Sequence, residues 1–474
     1  MSDQAVDLSS SSARPWTAVW ALLLGAFVSL LDVTVVNLAI PEIARDLGTS
    51  GTHAQWVLLA YILPLAALLL PMGRFGDALG RRRLFLAGIV VFTLGAFFAG
   101  FAQSISTLIL ARTFQGLGAA TMMPQILALI QVILPPGQRR RAMGYFGMVS
   151  ALGAIAGPIV GGVVLEVNPF DLGWRIVFLM VVPPCAVSVL VAAWCLDKDV
   201  AHPRRTIDVW HGLMIAAAIA GFVFAAVQGR ALGWPLWLMA FFPATLLLLR
   251  HVLRAQLKGR PKTVEPLLPQ SLLHSRDFVR GTSIILILFC GIAGVPFLLA
   301  LALQAGPQMS PGSVALALVV HPVFATLGAF LAGRVAPKNH WVLPTVGSFA
   351  TFCGTALLAV IFWWLGNEIS AQHLLVPLAL VGFGMGLSNV ALMSFTLAAA
   401  PKESSGAASG VIQTAQQIGI ALSIAIVGGL YLGQSEGASM QAATVTILFP
   451  AAIFVLVSLL CFAATQSHRK GARS

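Results

Sequence analysis

Asp32 is the one acidic residue, of sixteen in the chain, that lies well inside an apolar stretch long enough to cross a bilayer. A carboxylate in hydrocarbon costs about 2.5–3.5 kcal/mol even on lenient insertion scales, so such residues usually face a water-filled cavity and serve a function. The residues that share its helical face are small or apolar: Gly25, Ser29, Val36 and Ala39. We interpret Asp32 as a site that binds and releases a proton. The alternative is a structural acid hydrogen-bonded to a neighbouring helix.

Arg112 is the only cation inside a predicted membrane helix, and Gln115 follows it by one turn. A guanidinium in the membrane needs acceptors, and Asp32 is the strongest candidate, although helix-end carbonyls or water can also satisfy it. We therefore expect Arg112 to tune the proton affinity of Asp32. Pure structural anchoring is the alternative.

These residues belong to a chain built almost entirely of apolar segments, with 58% hydrophobic and 9% charged residues. About 20 apolar residues span a bilayer core as a helix. Fourteen stretches qualify, so the sequence predicts an all-α, polytopic membrane protein. The predicted helices cover 16–40, 54–73, 84–102, 106–131, 142–165, 174–195, 207–228, 234–250, 278–304, 312–333, 341–364, 374–398, 407–433 and 441–464.

The basic residues behind the net charge of +12 follow the order of the loops and do not form one patch that could bind nucleic acid. Most of the 28 Lys and Arg residues fall in alternate loops, whereas the opposite loops carry only Arg45, Arg175 and Arg230. The positive-inside rule then places both termini in the cytoplasm, which agrees with an even number of helices. The N-terminal segment lacks a cationic region and a cleavage site, so we expect the first helix to be retained.

The helices are organised as 6+2+6. We expect an N-terminal six-helix bundle over 1–196, two inserted helices over 197–262 and a C-terminal six-helix bundle over 263–474. The basic loop GRFGDALGRRR after helix 2 has a degraded counterpart, AGRVAPKNH, after helix 10. Repeated halves around a central site are how many secondary transporters alternate access. No GxxxxGK[ST] motif is present, so ATP is not the expected energy source.

Small residues predict close helix contacts in helix 5. Gly153, Gly157 and Gly161 recur every four residues, Gly162 follows, and Pro158 interrupts the backbone ladder.

Elsewhere Asp77, just before three arginines, can accept hydrogen bonds from another helix N-terminus and act as a latch.

Several amides and one histidine are weaker candidates for lining a cavity. They are Asn389, Gln413, Gln417 and His321. Interhelical amides can also be packing contacts worth about 0.6 kcal/mol each. His321 can titrate near neutral pH, but the alternative is that it caps a carbonyl freed by Pro322. The five cysteines have no metal-binding spacing and are expected to pack. No catalytic residue, metal or cofactor is predicted.

Four motifs in order resemble a known family, the major facilitator superfamily, and within it the fourteen-helix drug:proton antiporters. They are LDVTVVNLAIP at 31–41, GRFGDALGRRR at 73–83, LILARTFQGLGAA at 108–120 and GAIAGPIVGG at 153–162. The resemblance covers nearly the whole chain. It implies the major facilitator fold, with two six-helix bundles around a cavity, and proton-driven efflux.

The resemblance also implies roles for individual residues. Asp32 would be the proton-coupling acid, Arg112 its partner, Asp77 the gating latch and Gly157-Pro158 a hinge-like packing element. The loop motif adds Gly73, Gly80, Arg81 and Arg82 to the gating set. The QWVLLAY segment, similar to the family's helix 2 start, places Gln55, Trp56 and Tyr61 at the drug cavity, which also takes in Gln115.

Departures from the family pattern narrow the expected substrates. The loop after helix 10 has no acid equivalent to Asp77, Gln416 stands where many relatives carry arginine, and no certain acid lies in the last six membrane helices. We therefore expect a monomeric exporter of small hydrophobic or singly charged aromatic compounds in a bacterial inner membrane. A dedicated exporter of one metabolite or antibiotic is the nearest alternative, and a membrane-embedded enzyme or lipid-handling protein is a remote one.

Overall fold

The computed structural model describes residues 15–197, 209–233, 235–257, 270–335, 340–401, 405–433 and 439–471. A few side chains inside helices, including that of Asp77, lie outside this description. The side chain of the predicted latch, Asp77, and the predicted bundle boundary at 262/263 therefore fall outside the described residues, and the predicted boundary at 196/197 lies at the end of the first described segment.

Helices occupy each of the fourteen predicted stretches. Within the described part of the chain, twelve of them are long and apolar enough to cross a membrane, and the two inserted ones, Trp210–Ala226 and Leu236–Val252, are shorter apolar helices. The helices are α1 Pro15–Asp46, α2 Gly51–Leu79, α3 Arg81–Gly100, α4 Ile105–Ile133, α5 Pro136–Val167, α6 Ile176–Leu179, α7 Val182–Cys195, α8 Val209–Ala231, α9 Leu236–Met239, α10 Phe241–Leu257, α11 Gln270–His274, α12 Arg276–Ile292, α13 Gly294–Ala305, α14 Pro311–Arg334, α15 Val342–Leu365, α16 Ala371–Ala398, α17 Ser405–Leu432 and α18 Met440–Gly471. Short 3-10 turns cover Pro169–Asp171, Gly173–Arg175 and Gly366–Glu368.

Three predicted helices are broken in the structure, and each break precedes a proline by a few residues. The breaks lie between α6 and α7, between α9 and α10, and between α12 and α13. Pro184, Pro243 and Pro296 follow them. Proline lacks the amide hydrogen and its ring clashes with the carbonyl four residues earlier, so the helix ladder is interrupted there. At the last break the free amide of Gly294 donates to Ser423 Oγ at 2.8 Å.

The helix contacts form two groups. In the first, α1 packs on α5 and α7, and α4 packs on α2 and α3. In the second, α16 packs on α14 and α15, and α18 packs on α15 and α12. Contacts between the groups run through α2 with α17, α5 with α14 and α1 with α13.

The two ends of the molecule differ. Because successive helices alternate in direction, Arg81–Arg83 and Arg139–Arg141 lie at one end, which we call the basic end. At the opposite end the groups pack closely: a Cβ on Gly51 would lie 2.8 Å from Leu432 Cδ2, and one on Gly162 would overlap Ala315. At the basic end a crevice of about 240 Å³ opens between α2, α4 and α17.

The inserted pair lies against the seam between the groups. Helix α8 packs on α10 and on both α2 and α17. A small apolar cluster joins α2 to α8 and α10, with Ala66 and Ala67 against Ile215, Ile219 and Val252. Closer to the opposite end, the rings of Trp56 and Phe224 lie 5.9 Å apart.

Candidate functional site

Asp32 lies near the middle of α1 and is completely buried among α1, α2 and α4. Its Oδ2 accepts from Arg112 Nη1 at 2.6 Å. Both side chains have no exposed surface. Removing one partner of such a buried pair costs about 3–5 kcal/mol, because the other charge is left uncompensated in a medium of low dielectric constant.

Gln115 joins the two charged groups. Its Nε2 donates to Asp32 Oδ1 at 2.9 Å, and its Oε1 accepts from Arg112 Nη1 at 2.7 Å. The spacing of three residues on α4 places Gln115 and Arg112 on one helical face. Both oxygens of the carboxylate are therefore held by donors from α4.

Helix α2 also contacts Arg112. Its Nε donates to the Val57 carbonyl at 3.0 Å, and its Cζ lies 4.5 Å from the centre of the Tyr61 ring. The Tyr61 hydroxyl is 2.8 Å from Ser29 Oγ on α1. Nη2 of Arg112 is buried and has no hydrogen-bond partner among the described residues.

Small residues let these helices approach closely enough for the network to form. A Cβ on Gly116 would overlap the Tyr61 carbonyl oxygen, so α4 touches the backbone of α2 directly. On the other side of α1, Cβ atoms on Gly153 and Gly157 would press on Leu30 and Thr34. These contacts fix the rotation of α1 and so aim Asp32 at α4.

An ion pair of this kind persists only while the carboxylate is charged. A proton on Asp32 would remove the attraction and leave the guanidinium with Gln115 Oε1, the Val57 carbonyl and the aromatic ring.

The loop-motif residues lie at the basic end. Gly80, with φ of 104°, allows the sharp reversal between α2 and α3. Arg81 Nη1 donates to the Ala128 carbonyl of α4 at 3.1 Å, and Arg82 Nη2 to the Ala193 carbonyl of α7 at 2.8 Å. Gly73, Arg81 and Gln413 line the crevice at this end.

Of the predicted cavity residues, Gln413 lines the crevice at the basic end. Gln55, Tyr61 and Gln115 are buried in helix contacts. Asn389 Oδ1 accepts from Gln416 Nε2 at 3.3 Å, and His321 Nε2 is buried without a hydrogen-bond partner among the described residues. Trp56 and Gln417 are partly buried. Their assignment to a substrate cavity stays a prediction.

Sequence reasoning missed a polar cluster at the opposite end. Helix α1 continues to Asp46, beyond its predicted end, and Glu42 Oε1 accepts from the Trp174 amide at 3.0 Å. Asp46 Oδ2 accepts from Trp174 Nε1 at 2.9 Å and from Arg175 Nη1 at 2.8 Å. The spacing of Glu42 and Asp46, one turn apart after the apolar stretch, was the available signal. The cluster ties α1 to the segment that leads into α6.

This fold and this site define a multi-pass membrane transporter. The chain belongs to the Major Facilitator Superfamily, whose model matches residues 22–212 and again 209–424. The predicted family is thereby confirmed.

Curated relatives include drug and antibiotic exporters. The probable actinorhodin transporter of Streptomyces coelicolor is 34% identical, across 89% of this chain and 73% of its own length. The puromycin resistance protein of Streptomyces alboniger is 32% identical, across 97% of this chain and 93% of its own. The tetracenomycin C resistance and export protein of Streptomyces glaucescens is 29% identical, across 89% and 77%.

Solved structures share the fold. A bacterial homologue of the human lysosomal transporter Spinster, in an inward-facing and unoccupied conformation, aligns over 97% of this chain and 98% of its own, with a TM-score of 0.69 and 15% identity. A transporter of the POT family in complex with 5-aminolevulinic acid aligns over 95% and 96%, with a TM-score of 0.68 and 14% identity.

Proposed function

We propose that this transporter exports small hydrophobic or singly charged aromatic compounds from the cytoplasm in exchange for protons. The observation that carries the proposal is the buried Asp32–Arg112 pair bridged by Gln115. An ion pair completely removed from water adds little to the stability of a protein. Such a pair is, however, suited to binding and releasing one proton. The relatives named for actinorhodin, puromycin and tetracenomycin C support aromatic substrates and export.

The orientation follows from the charge distribution. The positive-inside rule places the basic end and both termini in the cytoplasm of a bacterial inner membrane. The close packing at the opposite end, with the crevice at the basic end, then corresponds to an inward-facing conformation. Two rocking halves, with boundaries near 196 and 263, would alternate access around Asp32.

Coupled exchange requires that binding of the proton weakens binding of the substrate, and that binding of the substrate weakens binding of the proton. Asp32 takes a proton when the opposite end is open and releases it inward, where substrate enters and the pair with Arg112 re-forms. One charge crossing 100 mV supplies about 2.3 kcal/mol, and each unit of pH difference supplies about 1.4 kcal/mol. For a neutral substrate exchanged for one proton, the first term supports about fiftyfold accumulation and the second about tenfold.

The test is uphill transport by purified protein in liposomes with an imposed pH gradient, using a panel of aromatic dyes and antibiotics. We expect Asp32→Asn to lose at least about tenfold of gradient-driven accumulation, whereas Asp197→Asn, at an exposed acid, retains it. Undiminished accumulation by Asp32→Asn at the native proton cost would show that the site is wrongly assigned.

A dedicated exporter of one antibiotic is the second candidate, because three relatives are named for single compounds. The same panel separates the two functions. Transport of several unrelated scaffolds indicates a multidrug exporter, and transport of one scaffold indicates a dedicated one.

A further inference from the structure

The ring of Tyr61 on α2 faces the cation of the buried pair. Tyr61 is completely buried, and the Arg112 Cζ atom lies 4.5 Å from the centre of its ring. The same atom lies 5.5 Å from the centre of the Phe178 ring on α6, which is equally buried. A cation over an aromatic face at such distances is attracted by the ring quadrupole, and the attraction is stronger where water is excluded.

This aromatic contact complements the hydrogen bonds of the guanidinium. Among the described residues, hydrogen bonds hold two of its three nitrogens: Nε donates to the Val57 carbonyl, and Nη1 donates to Asp32 and Gln115. Nη2 of Arg112 is buried and has no hydrogen-bond partner in the described part of the chain. Because a buried donor without an acceptor is costly, the contact with the aromatic faces matters to the position of this cation.

The Tyr61 ring is itself held in place by other helices. Its hydroxyl lies 2.8 Å from Ser29 Oγ on α1, and the Phe92 ring of α3 meets it edge-on, with ring centres 6.4 Å apart. A Cβ on Gly116 would overlap the Tyr61 carbonyl oxygen, so the backbone at this position is pressed against α4. The ring therefore has a defined position beside Arg112.

These contacts form a closed circuit through three helices. The circuit runs from Asp32 on α1 to Arg112 on α4, from Arg112 to Tyr61 on α2, and from Tyr61 back to Ser29 on α1. Ser29 lies three residues before Asp32, so the helix that carries the carboxylate also fixes the tyrosine hydroxyl. Functional groups keep a precise geometry when the side chains that support them are locked in this way.

We propose that Tyr61 is a positioning residue of the proton site, which holds the Arg112 guanidinium against the Asp32 carboxylate. Tyr61 then belongs to the charged pair and not to the wall of the drug cavity, where the family resemblance placed it. The inference rests on the proposed function, because it takes Asp32 as the proton site. A guanidinium that donates to a carboxylate favours its charged form, so a loosely held Arg112 leaves Asp32 easier to protonate.

A further titratable group, Cys185 on α7, faces this site. It is completely buried and interacts electrostatically with both Asp32 and Tyr61. His321 lies on α14, which packs mainly on α16 and α5, and α13 carries no titratable side chain. Helix α5 carries its described titratable side chains toward its two ends: Arg139, Arg141, Tyr145 and Glu166.

The experiment follows the charge state of Asp32 directly. Infrared difference spectroscopy of the purified protein detects the C=O stretch of a protonated carboxyl group, and Asp32→Asn identifies the band that belongs to Asp32. A titration from about pH 5 to about pH 8 stays below the range in which tyrosine and cysteine ordinarily ionise. Protons are the only ligand needed for this readout.

We expect Tyr61→Leu to raise the pH at which half of the Asp32 band is present by about 0.4–1.5 units, the equivalent of one desolvated contact between a cation and a ring. Tyr61→Phe keeps the aromatic face and should retain most of the native behaviour. Ser29→Ala breaks the same hydroxyl contact as Tyr61→Phe. The two changes should therefore have equal effects, and the double variant should shift the midpoint no further.

Two other rings provide matched controls. Tyr431 on α17 is an equally buried tyrosine in the second group, so Tyr431→Leu removes a ring of the same size and should leave the midpoint unchanged. Phe178→Leu removes the more distant of the two rings beside Arg112 and should shift the midpoint less than Tyr61→Leu does. Tyr61→Met, whose flexible side chain refills the space without a ring, replaces Tyr61→Leu if that variant folds poorly.

The outcomes separate the inference from the proposed function. An unchanged or lowered midpoint in Tyr61→Leu or Tyr61→Met would overturn the positioning role while the Asp32 band still titrates. A shift of equal size in Tyr431→Leu would also overturn it, since the effect would then report lost packing. The lack of any titrating band that Asp32→Asn removes would instead overturn the proton site itself.

Discussion

Arg112 is the residue on which the buried network converges. It binds a carboxylate, an amide oxygen and a backbone carbonyl, and it stacks on a tyrosine, so it joins α1, α2 and α4 at one point. A lysine could not reproduce this set, because its ammonium is a compact point charge without the planar, forked donors of a guanidinium. With Gln115, the guanidinium supplies the donors that bind both oxygens of the Asp32 carboxylate.

Removing that guanidinium should destabilise the protein. We expect Arg112→Leu to cost about 3–5 kcal/mol, because it leaves the Asp32 side chain buried without its partner. Thermal unfolding in detergent measures this.

The double variant Asp32→Asn with Arg112→Leu is the control for Arg112→Leu. It carries no charged side chain at this site, so its melting temperature should lie closer to that of the native protein. A double variant as unstable as Arg112→Leu alone would mean that lost packing, rather than an orphaned charge, explains the effect.

At the residue scale the sequence identified the charged pair but not its full set of partners. Asp32 and Arg112 are conspicuous because charges are rare in apolar helices. The Val57 carbonyl, which accepts from Arg112, could not be found the same way. Side-chain contacts to backbone depend on the rotation and tilt of neighbouring helices, and hydropathy alone does not specify either.

At the scale of elements, α5 and α1 are packed backbone to backbone. Glycines at 153, 157 and 161 meet Leu30, Thr34 and Leu38, and Thr34 Oγ1 also donates to the Gly153 carbonyl at 3.5 Å. The four-residue glycine spacing predicted this closeness. It did not say which helix would fill the groove, because small-residue faces are common in membrane proteins.

A methyl group at the centre of this contact should force the helices apart. A Cβ on Gly157 would overlap the Thr34 hydroxyl, so we expect Gly157→Ala to destabilise by about 1–3 kcal/mol, the usual cost of overpacking. Gly147→Ala on the same helix has nothing within 4 Å and should be neutral or slightly stabilising.

Thermal unfolding and the yield of folded protein in the membrane measure the effect of Gly157→Ala. Thr34→Ala removes the hydroxyl and should recover part of the loss. Equal stability of Gly157→Ala and Gly147→Ala would contradict the close packing of α1 and α5.

Helix ends were less predictable than helix positions. The apolar stretch of α1 ends near residue 40, yet the helix runs to Asp46, since Glu42 and Asp46 bind Trp174 and Arg175. Hydropathy identifies the part of a helix that matches the bilayer core. It does not predict polar turns that continue the helix beyond the core. The prolines near the breaks in three helices are visible in the sequence, but a hydropathy average over the length of a helix does not detect the breaks.

At the scale of the whole molecule, the groups meet differently along α2 and α17. The helices touch at Gly51 and Leu432, at Gln55 and Ile424, and nearer the basic end at Leu70 and Gly410, where a Cβ would lie 3.1 Å from the leucine. The inserted α8 packs on both helices along this seam. In the proposed cycle, movement between the groups would separate α2 from α17 at one end while contact is kept elsewhere.

Locking the opposite end should stop the transport cycle. A Cβ on Gly51 would lie 3.6 Å from Leu432 Cγ, so cysteines at these positions are close enough for a disulfide. We expect the double variant Gly51→Cys with Leu432→Cys to lose at least about tenfold of transport on oxidation and to regain it on reduction. The reason is that alternating access requires the two groups to part at this end. Each single variant, treated with the same oxidant, should keep its rate. If mass spectrometry shows the disulfide complete and transport still proceeds at the reduced rate, opening at Gly51 and Leu432 is not part of the cycle.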